Sequence, residues 1–306
     1  MITSPNESET ERVVMRKPVI LCIGSDARYI YTCEELCSLG KVYSYGTNGS
    51  VAETAALDCI GQLKQKVDLL VLPVLSGKGL DITLSEGEVV SCCELSPLLA
   101  KNAVVTGGRL NTQIIEYFSS LGHDVEDYFD REELVIRNCI PTAEGALQIA
   151  ISEIAVTING TSTLIIGYGR VAKACARLFS AVGSKVSVAA RKLSQLAMAQ
   201  NDGCESLPLG ELSVAAQNAD IVINTVPALV LTRSELEMMK KDALIIDLAS
   251  KPGGTDFEAA QRLGRRVVHA LALPGRTAPI TSGKIIAEAV RNIFIERRET
   301  DVFTRH

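Results

Sequence analysis

The sequence predicts an α/β protein of two domains, each a parallel sheet with flanking helices, and three observations predict it. From Pro18 onward, short β-branched apolar runs alternate with stretches of helical periodicity, the signature of strands joined by crossover helices. In the second half, the run Ser162–Ile166 meets Gly167, Tyr168 and Gly169, and a helical pattern follows with Val171, Cys175, Leu178, Phe179 and Val182 on one face. The first half holds no such glycine turn, so its loops are free for something other than a dinucleotide. The C-terminal domain is therefore expected to be a Rossmann dinucleotide-binding domain, with the final helix packing back on the N-terminal domain.

At 306 residues the chain is long enough for two ordinary domains with full cores. Apolar residues make up 47%, yet no uninterrupted apolar run reaches 18 residues, so no membrane-spanning helix is expected. A net charge of −5 without a basic cluster argues against nucleic acid as a partner. Met1–Lys17 is polar and charged with no apolar segment, and is expected to be a disordered tail rather than a signal peptide. The nine cysteines are odd in number, form no C-x-x-C, and lie apart from the three histidines His123, His269 and His306. No metal site and no disulfide framework are expected, and free thiols imply a reducing, cytoplasmic setting. Cys22 and Cys175 occupy apolar periodic positions as small hydrophobes, and Cys92–Cys93 is expected to start a helix.

In chain order, Val19–Ile23 is the first expected strand and ends at Gly24. The helix after it runs to about Leu39, with Gly40 as terminator. Val42–Tyr45, Leu69–Leu72 and Ala103–Thr106 are further strands, the second closed by Pro73 and the third by Gly107–Gly108. Asn111 caps a helix whose Ile114, Ile115, Phe118 and Leu121 share a face. His123–Tyr128 is a short strand, and Asp130 with Glu133 has capping-box spacing for one more helix. Residues 18–140 are thus expected to form a substrate-binding domain. Pro141–Glu144 opens a connector helix to about Ala155, with Thr142 as cap and Glu144 in the first turn. The dinucleotide domain, residues 141–280 with that connector, has later strands at Lys185–Ala189, Asp220–Asn224, Ala243–Leu248 and Arg265–Ala270. Thr232 and Glu235 form a capping box, and Ile286, Ala289, Val290 and Ile293 mark the closing helix within 281–306.

In the glycine turn, Gly167 allows the tight strand-to-helix reversal, Gly169 lets a pyrophosphate approach the backbone, and Ala172 is small enough for close helix packing. The N–H groups around Arg170 and Val171 then hold phosphate. The second strand of the unit ends in Ala190, Arg191 and Lys192, where an NAD enzyme usually carries an acidic residue; arginine pairs with a 2′-phosphate. This favours NADP and leaves NAD open. Three further strand-end loops should face the nicotinamide half: Asn224, Thr225, Val226 and Pro227; Ala249, Ser250 and Lys251; and Pro274 with Gly275.

No hydrolase, metalloprotease or Walker motif occurs, so the cofactor must carry the hard chemical step. Cationic candidates for a substrate carboxylate are Arg28, Arg109, Lys251 and Arg276, each at a strand-end loop or helix start. Arg28 can equally pair locally with Asp26, and Arg109 and Arg276 can equally be solvated. Proton-transfer candidates are Glu144, Asp26 and Asp256, whereas His269 falls inside the last strand and is expected to be structural.

Five runs then point to a family. Gly24–Arg28, Ile140–Ala146, Ile223–Pro227, Asp247–Asp256, and Leu273–Gly275 with Ala278, Pro279 and Thr281 resemble, in order, those of the A subunits of dipicolinate synthases. The resemblance extends from about Val19 to Phe294, and Asp247–Asp256 is its most specific run. It implies a fold similar to formate/glycerate dehydrogenase and adenosylhomocysteinase-type proteins. It also implies NADP-dependent oxidation of a dihydrodipicolinate-like dicarboxylate to dipicolinic acid, in the mother cell of a sporulating bacterium. The partner implied is the second, flavoprotein-like subunit of dipicolinate synthase, and a homo-oligomer is compatible. Gly24, Ser25 and Thr142, which lie in these runs, join Arg28, Arg109 and Lys251 as substrate contacts, with Glu144 and Asp26 as catalytic candidates. Two alternatives stay open: a nucleotide-binding scaffold with the chemistry on the flavoprotein-like subunit, and an adenosylhomocysteinase-like enzyme with tightly held NAD.

Overall fold

A computed structural model describes residues 16–47, 53–84 and 87–303. Most of the expected N-terminal tail lies outside the described residues; Arg16, at its end, forms an ion pair with Asp68 at 2.8 Å.

The first domain is built on β1 (Val19–Ile23), β2 (Lys41–Tyr45), β3 (Ala55–Leu57), β4 (Val67–Val74), β7 (Leu99–Gly108) and β8 (Asp124–Asp127), with a hairpin of β5 (Asp81–Thr83) and β6 (Val89–Ser91) between β4 and β7. The six sheet strands are parallel, in the order β3-β2-β1-β4-β7-β8. The second sheet contains β9 (Ser162–Ile166), β10 (Lys185–Ala190), β11 (Glu205–Pro208), β12 (Ile221–Asn224), β13 (Leu244–Asp247) and β14 (Arg266–His269). It too is parallel, in the order β11-β10-β9-β12-β13-β14, the strand order of a Rossmann domain.

Both sheets are covered on both faces, which is why the central strands β1, β12 and β13 are buried along their whole length, whereas the outer β2, β8 and β11 are only partly so. The helices are α1 (Ala27–Leu36), α2 (Cys92–Leu95), α3 (Thr112–Ser120), α4 (Glu132–Glu153), α5 (Arg170–Ala181), α6 (Leu193–Asn201), α7 (Leu212–Asn218), α8 (Arg233–Met238), α9 (Phe257–Arg262), α10 (Leu273–Thr277) and α11 (Pro279–Phe303). Ile20 and Cys22 of β1 turn toward α1 and α11, packing with Cys33, Leu36, Ile286, Val290 and Ile293. Leu21 and Ile23 turn the other way, onto Ile114 and Phe118 of α3. The returning α11 therefore completes the core of the first domain. In the second sheet Ile165, Val188 and Ile223 pack with α4 and α5, while Leu164, Ile166 and Val222 pack with residues of α7, α8 and α9.

The structure corrects five expectations. A single helix, α4, runs from Glu132 to Glu153, with Pro141 inside it and buried. Asp130 ends a short 3-10 turn and makes no capping box; the helix starts at Arg131 with no side-chain cap, and Glu132 and Glu133 suit its dipole. Thr142 is therefore not a cap: its hydroxyl donates to the Asn138 carbonyl at 2.7 Å. Glu144 is mid-helix, not in a first turn. Packing overrides the proline, because Leu134 enters the first core while Ala143, Ala146 and Ala150 enter the second. Pro73 does not close β4, which continues to Val74 through a register shift against β7 between Val71 and Val74. The expected caps at Asn111 and at Thr232 with Glu235 are present.

Candidate functional site

At the glycine turn, β9 ends and the chain reverses into α5. Gly167 sits at φ +87°, a conformation that L side chains rarely adopt, and its N–H donates to the Ala189 carbonyl at 2.8 Å. A Cβ there would stand 2.8 Å from Thr225 Oγ1. Gly169 is the N-cap of α5, makes no side-chain capping bond, and a Cβ built on it would meet nothing within 4 Å. The N–H groups opening a twelve-residue helix thus face an open cradle, the environment that a pyrophosphate requires. Ala172 is fully buried against the sheet, as its place in the fingerprint demands.

The flanking residues divide by role. Tyr168 points its ring away into a groove of about 870 Å³ between α4 and α5, lined by Ile136, Ile140 and Arg177 among others. Its hydroxyl donates to Asp202 at 2.8 Å, and burial together with that acidic partner pushes the phenol well above its usual range. Tyr168 thus offers a ligand its backbone only. Arg170 pairs with Glu132 of α4. Val171 is half-buried, and Ala190 is buried at the end of β10. Arg191 and Lys192 are exposed just beyond it, before the uncapped start of α6. No ion pair engages either of them among the described residues.

The loop after β13 is organised by a residue that the sequence did not single out. Asp247 is fully buried, and its carboxylate accepts from Asn224 Nδ2 at 3.0 Å, the Ala249 N–H at 3.0 Å, the Gly254 N–H at 2.9 Å and Thr255 Oγ1 at 2.8 Å. Asn224 is itself fully buried and also donates to the Val226 carbonyl at 3.1 Å. Asn224 therefore shapes the two loops rather than facing a ligand. Thr225 ties back to the Ile166 carbonyl at 2.8 Å, leaving Val226 half-buried and Pro227 exposed. Ala249 is buried, whereas Ser250 and Lys251 form the exposed tip. His269 Nε2 lies 3.1 Å from the Ala249 carbonyl and its ring packs against that of Phe257, centroids 5.0 Å apart and planes tilted by 30°. Asp256 is a cap, accepting from the Ala259 N–H at 2.9 Å.

On the first domain, Asp26 caps α1 and holds the Arg28 guanidinium at two points, Nε–Oδ1 at 2.9 Å and Nη2–Oδ2 at 2.7 Å. Burial works against the Arg28 charge, but the Asp26 hydrogen bonds outweigh it and its pKa lies above the ordinary value. Gly24 is buried, and a Cβ there would strike the Tyr29 ring at 2.4 Å; Ser25 beside it is half-buried. Arg28 also reaches the other domain: a Cβ on Gly275 of α10 would lie 2.9 Å from Arg28 Nε. That contact joins the segment after β1 to the segment after β14, each at the carboxyl end of its sheet. Pro274 accepts from Ser282 Oγ at 2.8 Å. Arg109 stands at φ +54° with its guanidinium 5.9 Å from the Phe129 ring centre, and Arg276 is exposed on α10. Glu144 is exposed on α4, next to Gly145, which packs on Leu273 and Thr277. The structure thus brings Arg28, Asp26 and Gly275 together; among the described residues no hydrogen bond or ion pair joins Glu144, Arg109 or Lys251 to that group.

Among the described residues no group of three or more His, Cys, Asp or Glu is arranged to hold a metal, and no helix is long and apolar enough to cross a membrane. All nine cysteines are free thiols.

A Rossmann sheet with an open glycine cradle, joined to a second parallel-sheet domain, defines a dinucleotide-dependent oxidoreductase. Residues 144–252 match the family model described as D-isomer specific 2-hydroxyacid dehydrogenase, NAD binding domain. The chain is 33% identical to the A subunit of dipicolinate synthase from Bacillus subtilis (strain 168), over 90% of this chain and 96% of that protein. It belongs to the family of dipicolinate synthase A subunits. The crystal structure of the A subunit of dipicolinate synthase from Bacillus halodurans is similar with a TM-score of 0.83 at 30% identity, covering 92% of this chain and 98% of that one. A transhydrogenase from Sinorhizobium meliloti shares the fold alone, with a TM-score of 0.67 at 16% identity over 90% of this chain and 94% of that one.

Proposed function

We propose that this chain oxidises a dihydrodipicolinate-type dicarboxylate to dipicolinic acid with NADP as acceptor, as the A subunit of a two-component synthase in a sporulating cell. The observation that carries the reading is the Arg28–Gly275 contact, which sets a carboxylate-binding fork of the first domain beside the strand ends of the Rossmann domain. Family membership supports the substrate class. Exposed Arg191 and Lys192 at the end of β10 support a 2′-phosphate and hence NADP. In this reading residues 18–140 bind substrate, residues 141–280 bind the dinucleotide, and residues 281–306 return to the first domain.

The open cradle at Gly169 and the uncapped start of α5 fit a bound dinucleotide, held by the N–H groups of Gly169, Arg170 and Val171. When bound, its nicotinamide supplies the two-electron acceptor. The chain's own residues bind one carboxylate at Arg28, exclude water with the Ala249–Lys251 and Val226–Pro227 loops, and accept one proton. That proton goes to Glu144 or Asp26. Aromatisation supplies driving force, so an elaborate acid–base relay is not required.

The test is direct. Purified chain, given the dihydro precursor and NADP, should produce reduced-nicotinamide absorbance, and the flavoprotein-like subunit should raise the rate without being obligatory. Absence of reduction until that subunit is added would move the chemistry off this chain. For the proton, Glu144→Gln should alter the pH–rate profile; an unchanged profile assigns the role to Asp26 or to water.

A further inference from the structure

Arg28 lies where the first domain meets α10 and the start of α11. Its guanidinium lies against Gly275, where a Cβ would stand 2.9 Å from Nε and 3.1 Å from Cδ. Its carbonyl lies against Gly283 of α11, where a Cβ would stand 2.4 Å from that oxygen. Thr32, one turn further along α1, donates to the Gly283 carbonyl at 3.1 Å. Two glycines of the C-terminal segment thus clasp one arginine by its side chain and its backbone, and the guanidinium cannot withdraw toward α10.

The other side of the fork is covered by Asp26. The Asp26 side chain is 45% exposed and that of Arg28 only 12%, so a ligand arriving from solvent meets Asp26 first. Asp26 Oδ1 also accepts the Arg28 N–H at 3.0 Å, the ordinary bond of a helix cap. Capping needs one short polar acceptor, and Asn or Ser serves as well as Asp. A two-point pairing with a guanidinium exceeds that need, and it is the geometry by which arginine recognises a free carboxylate.

We propose that Asp26 is a built-in placeholder for a ligand carboxylate, occupying the Arg28 fork in the free chain and yielding it to one carboxylate of a dicarboxylate ligand. The idea rests on the substrate class proposed above, and it deepens that reading by making recognition an exchange. A ligand without a carboxylate has nothing to offer Arg28 in place of Asp26 and is refused. Gly275 holds the fork still, so the movement in the exchange belongs to the short Asp26 side chain.

The experiment is calorimetric titration of the full chain with dipicolinate, without dinucleotide or turnover. Asp26→Asn keeps the cap and removes the competing charge, so its affinity for dipicolinate should exceed that of the native chain by on the order of tenfold. Asp26→Ser, a second good cap, should show the same gain, and Arg28→Gln should abolish binding while the far-UV circular dichroism spectrum stays that of the folded chain. The neutral diamide of dipicolinate should bind none of these proteins. Unchanged or weaker dipicolinate binding in both Asp26 variants would overturn the proposal, as would binding that survives Arg28→Gln, or a failure of native chain and both variants to bind. Because no hydride is transferred, failed turnover counts against the proposed activity and leaves this result standing by itself.

Discussion

Asn224 and Asp247 are register partners at the ends of β12 and β13, and the Asn224 amide donates to the Asp247 carboxylate at 3.0 Å in a fully buried position. Asp247 joins no ion pair among the described residues; its carboxylate accepts from four donors, two of them backbone N–H groups of the loop that follows. Removing the acceptor leaves buried donors unpaired, which is the expensive form of losing a hydrogen bond. Asp247→Ala should therefore destabilise the chain by about 3 kcal/mol and loosen the Ala249–Thr255 loop. Urea unfolding measures the first effect and amide exchange at Gly254 the second. A loss near zero would show that water replaces the carboxylate.

This pair also shows where sequence reading stops. The strand ends were legible because each is a local apolar run, and so were the Asn111 cap and the Thr232–Glu235 box, which depend on residues a few positions apart. The pairing of Asn224 with Asp247 depends on β12 lying beside β13 in one register, which no local pattern states. The meeting of Arg28 with Gly275 depends on α11 returning across the first domain. Short, poorly buried β3 and β11 carry too few apolar residues to stand out as strands. At Pro141 the local rule was sound and lost to burial on both sides of it. The cradle was legible, since Gly167 and Gly169 announce themselves; of the three expected strand-end loops, those after β12 and β13 are loops, whereas Pro274 and Gly275 lie in the short helix α10.

The two glycines of the turn should separate folding from binding. Gly167 is at positive φ and already close to Thr225, so Gly167→Ala should destabilise by about 1–2 kcal/mol or more from backbone strain. Gly169 has open space at its Cβ position, so Gly169→Val should leave the thermal midpoint nearly unchanged. It should nevertheless weaken dinucleotide binding at least about tenfold, because the side chain occupies the phosphate cradle. Equal effects of both variants on both measurements would refute the division.

Cofactor preference should reside at the end of β10. Arg191 is exposed and joins no ion pair among the described residues, so its replacement should cost little stability. Arg191→Asp places a carboxylate where a 2′-phosphate is expected and should move the NADP-to-NAD affinity ratio toward NAD by about tenfold or more. Fluorescence titration with both dinucleotides reads the ratio. Equal binding of the two by the native chain would remove the argument for NADP.

Asp220 supplies a pH dependence of stability. Burial tends to raise its pKa, but Lys240 at 2.6 Å and the Ser162 N–H at 2.8 Å prevail, and it lies below the usual carboxylate value. A depressed folded-state pKa contributes stability that is present above the unfolded value and is lost as pH falls through the folded one. The advantage of the native chain over Asp220→Asn should therefore be full at neutral pH and shrink below roughly pH 4. Thermal melts of both proteins across that range check it, and a difference that grows on acidification would reverse the sign.

Thiol reactivity should follow burial rather than number. Cys59 and Cys93 are exposed, whereas Cys22, Cys33, Cys92, Cys139, Cys175 and Cys204 are buried. Burial, with Cys93 nearby, pushes the Cys92 thiol up to about 12, and burial beside Cys139 does the same at Cys175. The hydrogen bond with Cys33, together with burial, raises Cys22 well above its usual value. The thiolate is the species that alkylates, and at pH 8 a thiol of pKa 12 is ionised in only about one molecule in ten thousand. Brief treatment of the native chain with iodoacetamide at about pH 8 should therefore modify Cys59 and Cys93 first, with Cys37 slower because burial raises its thiol too. The buried six should react only after unfolding, when all nine should label. Early modification of Cys175, on the sheet-facing side of α5, would mean that α5 opens from its sheet in the native state, and peptide mapping by mass spectrometry distinguishes the two outcomes.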